Sequence, residues 1–221
     1  MNRGAGRRRI FHSQAQRDAC YELLAQITEI YGVEIHAHCL MGNHYHLLVR
    51  TPDGGLSKAM RHLNSSYAQI VNRDLGTDGP LFRGRYASKL VDADAYLLQV
   101  SRYIHVNPVE EGLVSRPEDY PHSSYRAYLD PNEAPPWLVT SVILDRFGPT
   151  GARERYREFV EQGIDDETRT FYLEASGDPV LGGESFRHRI GVRVERRELP
   201  TDLGLRLSRS FRGRVRPGDD R

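Results

Sequence analysis

At 221 residues, with 38% hydrophobic and 28% charged side chains, the chain has the composition of a soluble globular protein with one substantial core and room for a second, smaller unit. No apolar run approaches the roughly 20 residues of a membrane helix, and the basic N-terminus is not followed by the apolar stretch of a secretory signal, so a cytoplasmic protein without a membrane partner is expected. Net charge is only +1, so any affinity for nucleic acid has to come from local patches.

Residues 14–31 predict an amphipathic helix, with Leu23, Leu24, Ile27 and Ile30 at helical spacing and Gly32 placed to end it. Residues 33–41 and 44–50 read as two strands of a hairpin turned by Gly42 and Asn43. A second amphipathic helix follows over 55–75, through Leu56, Met60, Leu63, Tyr67, Ile70 and Val71. A third strand is expected over 86–91, and then a helix over about 93–106, capped by Asp92 or Asp94 and ended with the help of Pro108. Cys20 and Cys39 fall inside regular elements, which suits reduced, packed thiols better than a disulfide. The chain divides into a unit over 1–129, a Pro-rich linker over 130–136, a helical extension over 137–195 and a basic, disordered tail over 196–221. Helices are expected in the extension over 137–147, 152–162 and 183–190.

Two pairs of residues carry the chemistry. His44 and His46 are two apart on a strand, so alternation turns both imidazoles to one face; Tyr103 and Asn107 are four apart on a helix and share a face of it. Two imidazole ligands can then meet a tyrosine nucleophile and an amide ligand, the arrangement that metal-assisted DNA strand transfer needs. His36 and His38 form a second His-x-His. With Gly42 and Asn43 as the turn, however, Met41 lies opposite His44 and Cys39 opposite His46, which puts His36 and His38 on the other face, as packed or hydrogen-bonded residues. Taken singly, each of the four residues has a plain structural use: Tyr103 as a packed aromatic, Asn107 as a cap before Pro108.

Four ordered segments carry a resemblance. Met-Gly-Asn-His-Tyr-His-Leu-Leu-Val (41–49), Leu-Phe-Arg-Gly-Arg-Tyr (81–86), Ser-Arg-Tyr-Ile-His-Val-Asn-Pro-Val (101–109) and Tyr-Pro-His-Ser-Ser-Tyr (120–125) resemble the IS200-type single-tyrosine transposases, in the branch associated with repetitive extragenic palindromes. The likeness covers about residues 2–129. It implies an α+β, ferredoxin-like antiparallel sheet with helices, His44 and His46 as ligands of a divalent metal, Mg²⁺ or Mn²⁺, with Asn107 as third ligand, and Tyr103 as nucleophile. It further implies single-stranded hairpin DNA as partner, a 5′-phosphotyrosine intermediate and DNA transposition, by a monomer or a homodimer. Arg61, Arg73, Arg83, Arg85 and Lys89 are candidate phosphate contacts, and Phe82 and Tyr86 candidate stacking faces; solvated charge and core packing serve each of these equally well.

The chain departs from the family's pattern in two places. Relatives begin with a further strand that ends in a segment like Asn2-Arg3-Gly4, so the first strand is expected to be missing, and Gly42 stands where proline is common. Two other readings remain open: a hairpin-binding relic of a transposase that no longer cleaves, and an unrelated hydrolase in which water replaces Tyr103 as nucleophile.

Overall fold

Ser13 starts the first helix, its hydroxyl accepting a hydrogen bond from the Gln16 N–H, and the chain then runs as α1 (Gln14–Tyr31) to Gly32, which ends the helix at φ 63°. The computed structural model describes residues 1–164 and 179–196. Cys20, Leu23, Leu24 and Ile27 form the buried stripe of α1, as the spacing predicts. Ile30 departs from it and is 57% exposed; in the last turn it is Tyr31 that reaches the next helix, its ring meeting His62 edge-on at 5.8 Å.

β2 (Glu34–Leu40) and β3 (His44–Arg50) make the expected antiparallel hairpin, with Cys39 opposite His46 and Leu40 opposite Tyr45. The register breaks once, between Ile35 and Ala37, where His36 is the extra residue of a bulge. A two-residue strand, β1 (Asn2–Arg3), pairs antiparallel with the other side of β3, giving the order β1-β3-β2. Asn2 lies opposite Tyr45 and Arg3 opposite His44. The result is an α+β fold with a small antiparallel sheet.

Helices cover both faces of that sheet. On one side α1 and α2 (Leu56–Leu75) pack against Ile35, Leu40 and Tyr45; on the other Ala37, Cys39, Met41 and Leu48 meet α3 (Leu97–Glu110) and the helices after it. Alternation along β3 therefore sends Tyr45 to the α2 side and His44 and His46 to the α3 side. The Tyr45 hydroxyl donates to Asn64 Oδ1 of α2 at 2.8 Å, and the Asn2 amide donates to the same oxygen at 3.0 Å.

The strand expected over 86–91 shortens to β4 (Leu90–Val91), which pairs in parallel with β5 (Val180–Leu181) and not with the main sheet. The stretch before it, 81–87, does lie along β1, through Arg83 N–H to Arg3 O and Ala87 N–H to Met1 O, both at 2.9 Å, and a bridge from Gly4 to Phe82. These contacts are too irregular to form a ladder. Gly4 is needed there, because a Cβ at this position would stand 2.2 Å from the Arg8 carbonyl oxygen.

α3 starts later and ends later than predicted. Asp92 accepts from the Asp94 and Tyr96 N–H groups in the turn before the helix, while the cap position itself falls to Tyr96 without a side-chain bond. Pro108 sits within the last turn and does not stop it: the bond that an N–H there would give to the Ile104 carbonyl is forgone, and the helix runs on to Glu110.

The outer edge of β2 is covered by the segment that follows α3. Leu40 N–H donates to His122 O and Ser124 N–H to His38 O, each at 2.9 Å, and Val139 N–H donates to Ile35 O. The hydroxyls of Tyr120 and Tyr128 donate to the Leu40 and His36 carbonyls at 2.8 and 2.6 Å. Every one of these bonds removes an exposed edge group that could template another strand. α4 (Tyr125–Leu129), α5 (Ser141–Leu144) and α6 (Ala152–Glu161) complete this side, and α7 (Glu184–Arg196) follows β5. The helix expected over 137–147 is thus reduced to α5 and a 3₁₀ turn, because 137–139 is engaged along β2. The tail over 197–221 lies outside the described residues.

A buried polar hub locks α3 to this layer. His105 Nδ1 is hydrogen-bonded with the Tyr156 hydroxyl and its Nε2 with Ser124 Oγ, both at 2.7 Å. Burial first, then neighbouring His38, pushes the His105 pKa down to about 3. A histidine held neutral in the fold but titrating normally when unfolded favours the folded state above about pH 6.5, and that contribution is lost as pH falls toward 3. We expect a slope of about 1.4 kcal/mol per pH unit from His105 in that window. Denaturant unfolding of the protein and of His105→Gln between pH 4 and 7 checks it: the variant is expected to be less stable at pH 7 and to lose less on acidification.

Candidate active site

β3 and α3 bring the four predicted residues together. His44 and His46 point from the strand toward α3, with ring centroids 4.9 Å apart, and the His46 ring meets the Tyr103 ring edge-on at 5.4 Å. Asn107, one turn beyond Tyr103, lies close enough to influence both the Tyr103 hydroxyl and His44 through its amide. Its Oδ1 nevertheless has no hydrogen-bond partner at bonding distance, and neither has Nε2 of His46. Both atoms are buried: His46 is 6% exposed and Asn107 4%. Two orphaned lone-pair atoms in one small site are costly unless something fills them.

The local chemistry suits a cation. Asn43 in the hairpin turn accepts from His44 Nδ1–H at 2.6 Å, fixing the tautomer and leaving Nε2 with its lone pair. Burial, followed by the positive charge of Arg3, lowers the His44 pKa to about 4. His46 is driven well below its ordinary value, again chiefly by burial and then by His44. Both imidazoles are therefore neutral at physiological pH, the form that ligates a metal. Two imidazole nitrogens and an amide oxygen make a donor set that suits a divalent ion. Among the described residues there is no cluster of three His, Cys, Asp or Glu side chains, so the amide is essential to this set.

Tyr103 is held as a phenol. Burial, reinforced by the charges of Glu110 and Glu111, raises its pKa to about 12, while Arg3 and Asn107 act in the opposite sense. Attack through this oxygen requires that its proton be removed or the developing phenolate be stabilised.

The remaining predicted residues are dispersed. Arg83 is exposed but its backbone is tied to Arg3, which places it beside the site; Arg85 is exposed two residues further on. Phe82 and Tyr86 are half-buried against the α2-side core, Phe82 edge-on to Tyr45 and Tyr86 at 3.3 Å from the Ser57 hydroxyl. Lys89 is half-buried. Arg61 and Arg73 are exposed on α2, across the sheet from His44 and His46. His36 and His38 are engaged elsewhere, His36 Nδ1 lying 3.1 Å from Val139 O and the His38 ring packing between Tyr21 and Trp137. Sequence reasoning missed Asn43 and Arg3. A polar residue beside the first histidine was the available signal for Asn43; Arg3 is revealed only by the strand pairing.

Residues 2–107, the stretch that spans β1 to Asn107, match the family model described as Transposase IS200 like. This part of the chain is IS200-like. A protein of Haemophilus influenzae, provisionally named a REP-associated tyrosine transposase, is 28% identical over 111 residues, covering 45% of this chain and 63% of its own length. The chain thus spans less than two thirds of that relative. No solved structure gives a significant match. The family is one of DNA-processing proteins, and no helix among the described residues is long and apolar enough to cross a membrane.

Proposed function

We propose that this protein is an IS200-like transposase that cleaves and rejoins single-stranded DNA at hairpin sites through a covalent bond to Tyr103, in a metal-dependent reaction of DNA transposition. The observation that carries the reading is the meeting of Tyr103 with three candidate ligands, two of which present buried, unpartnered lone pairs.

His44, His46 and Asn107 would hold the ion, Mg²⁺ or Mn²⁺. When bound, it supplies positive charge at a non-bridging phosphate oxygen, where charge builds up during displacement. Tyr103 Oη forms a bond to phosphorus as the bond from phosphorus to the leaving 3′ oxygen breaks. The phenolic proton is lost and the 3′ oxygen gains one, so the products are a 5′-phosphotyrosine and a free 3′-hydroxyl. Because the phosphodiester energy is kept in the tyrosyl bond, a second 3′-hydroxyl can reverse the step and join a new strand. Asn107 orients the tyrosine, and the His105 hub behind α3 fixes the helix that presents both.

On this reading residues 1–129 are the catalytic unit of ferredoxin-like type. The helices of 137–195 brace it, through Tyr156 against Ser101 and His105 of α3 and Phe159 beneath the Arg102 guanidinium at 4.5 Å. Arg83 and Arg85 would take up phosphates of the entering strand. One tyrosine per chain serves either a monomer or a homodimer.

The test is incubation with end-labelled hairpin oligonucleotides from the protein's own genomic neighbourhood, with Mg²⁺, Mn²⁺ or EDTA, followed by a denaturing gel. The expected result is a retarded, protease-sensitive band that requires metal. Metal-dependent shortening of the DNA without that band would favour water as the nucleophile, and binding alone would favour a non-cleaving hairpin-binding protein.

A further inference from the structure

Arg3 is a charged residue at this site that the reaction just described does not use. Its Cα pairs with that of His44 across the β1–β3 ladder, and directly paired residues of an antiparallel pair project to the same face. Asn2 and Tyr45 confirm the phase, since both reach Asn64 on the opposite, α2 side. The Arg3 side chain accordingly stands on the face that carries His44, His46 and, from α3, Tyr103. Its charge is felt at all three.

The backbone of Arg3 is held on both sides, by the ladder to β3 and by Arg83 N–H on its carbonyl oxygen, so the guanidinium departs from a fixed point. The side chain is half-buried and its Nε is buried with no hydrogen-bond partner. Among the described residues no carboxylate lies within ion-pairing distance of it. A partly desolvated guanidinium without an anion is unfavourable in the free protein, and its planar fork matches the geometry of a phosphate. Neighbouring His44 and His46 are neutral and supply no counter-charge.

We propose that Arg3 is a phosphate-binding residue that grips a non-bridging oxygen of the scissile phosphodiester from the β1 side, opposite the ion that His44, His46 and Asn107 would hold on β3 and α3. The assignment rests on the function proposed above, for it takes the phosphate to be the one that Tyr103 attacks. A guanidinium at this place also favours the developing phenolate and the charge of the displacement. It explains how a two-residue strand contributes to the reaction: it carries an anchor into the site.

The experiment uses the full chain with Tyr103→Phe, which keeps the strand uncleaved, and compares binding of single-stranded hairpin oligonucleotides by that protein with and without Arg3→Ala or Arg3→Lys. One charge-neutral methylphosphonate is walked through the flanking strand. Arg3→Ala is expected to weaken binding of the all-phosphate strand about 10-fold or more, and to lower the dependence of log affinity on log salt by about one. At one linkage position the methylphosphonate should erase that difference, and Arg3→Lys should recover part of the affinity. Unfolding temperatures should not fall, since no protein partner is lost and an unpartnered buried Nε is removed. In the chain with Tyr103 intact, that same position should be the cleavage site. Equal penalties at every position, or no penalty, would overturn the role of Arg3. A single erased position in a protein that forms no covalent adduct would leave Arg3 as a phosphate grip and overturn the strand-transfer reading instead.

Discussion

Tyr103→Phe is expected to reduce cleavage by roughly 10⁴-fold or more, to background, while leaving affinity for the hairpin oligonucleotide within about twofold of the unaltered protein. The reason is chemical, because the variant removes one oxygen, the atom that would bond to phosphorus, and keeps the ring that meets His46 at 5.4 Å. Folding should not suffer. The hydroxyl is held as a neutral phenol with its pKa raised to about 12, so no ion pair is broken by losing it. Cleavage rates, binding isotherms and thermal unfolding on the same preparations check the three parts together. A variant that still cleaves through a covalent adduct would remove Tyr103 from the mechanism.

His46→Leu separates function from stability in the opposite direction. Nε2 of His46 is a buried polar atom without a partner, and burial drives the ring far from its ordinary pKa. Replacing it by an apolar side chain of similar reach should raise the stability of the metal-free protein by about 1 kcal/mol. Activity should fall by roughly 10³-fold, the value of a cation worth several kcal/mol at a phosphate oxygen. The unaltered protein should gain thermal stability when Mn²⁺ is added and lose it again with EDTA, since a ligand that binds only the folded state stabilises it; the variant should show neither change. Thermal unfolding with and without Mn²⁺ measures both effects. A variant less stable than the parent, with an unaltered response to Mn²⁺, would mean that His46 packs and does not ligate.

The two halves of the constellation could be read in the sequence because each depends only on local periodicity, while the meeting of β3 with α3 was implied by the family resemblance. A period of two on β3 and a spacing of four on α3 fix which side chains share a face, and the Gly42-Asn43 turn fixes the register that sets Cys39 opposite His46. What could not be read depends on distant partners. β4 finds its mate at Val180 and Leu181, some ninety residues on, so its length has no local signal. The bulge at His36 goes with the tyrosines and the chain of 120–139 that bond to the edge of β2, where Tyr128 takes the His36 carbonyl. Asp92 has the composition of a helix cap but spends its carboxylate in the preceding turn. Arg3 looks like one more surface arginine until β1 is seen to place it opposite His44.

The most direct measurement is the identity of the residue that carries the DNA. The protein is reacted with hairpin oligonucleotide and Mn²⁺, digested with nuclease and protease, and the remaining nucleotide-bearing peptide is sequenced by mass spectrometry. The expected peptide contains Ser101 to Asn107 with a 5′-nucleotide phosphate on Tyr103, and it is absent when the metal is withheld. A nucleotide on any other residue, or cleaved DNA with no modified peptide, would contradict Tyr103 as the nucleophile.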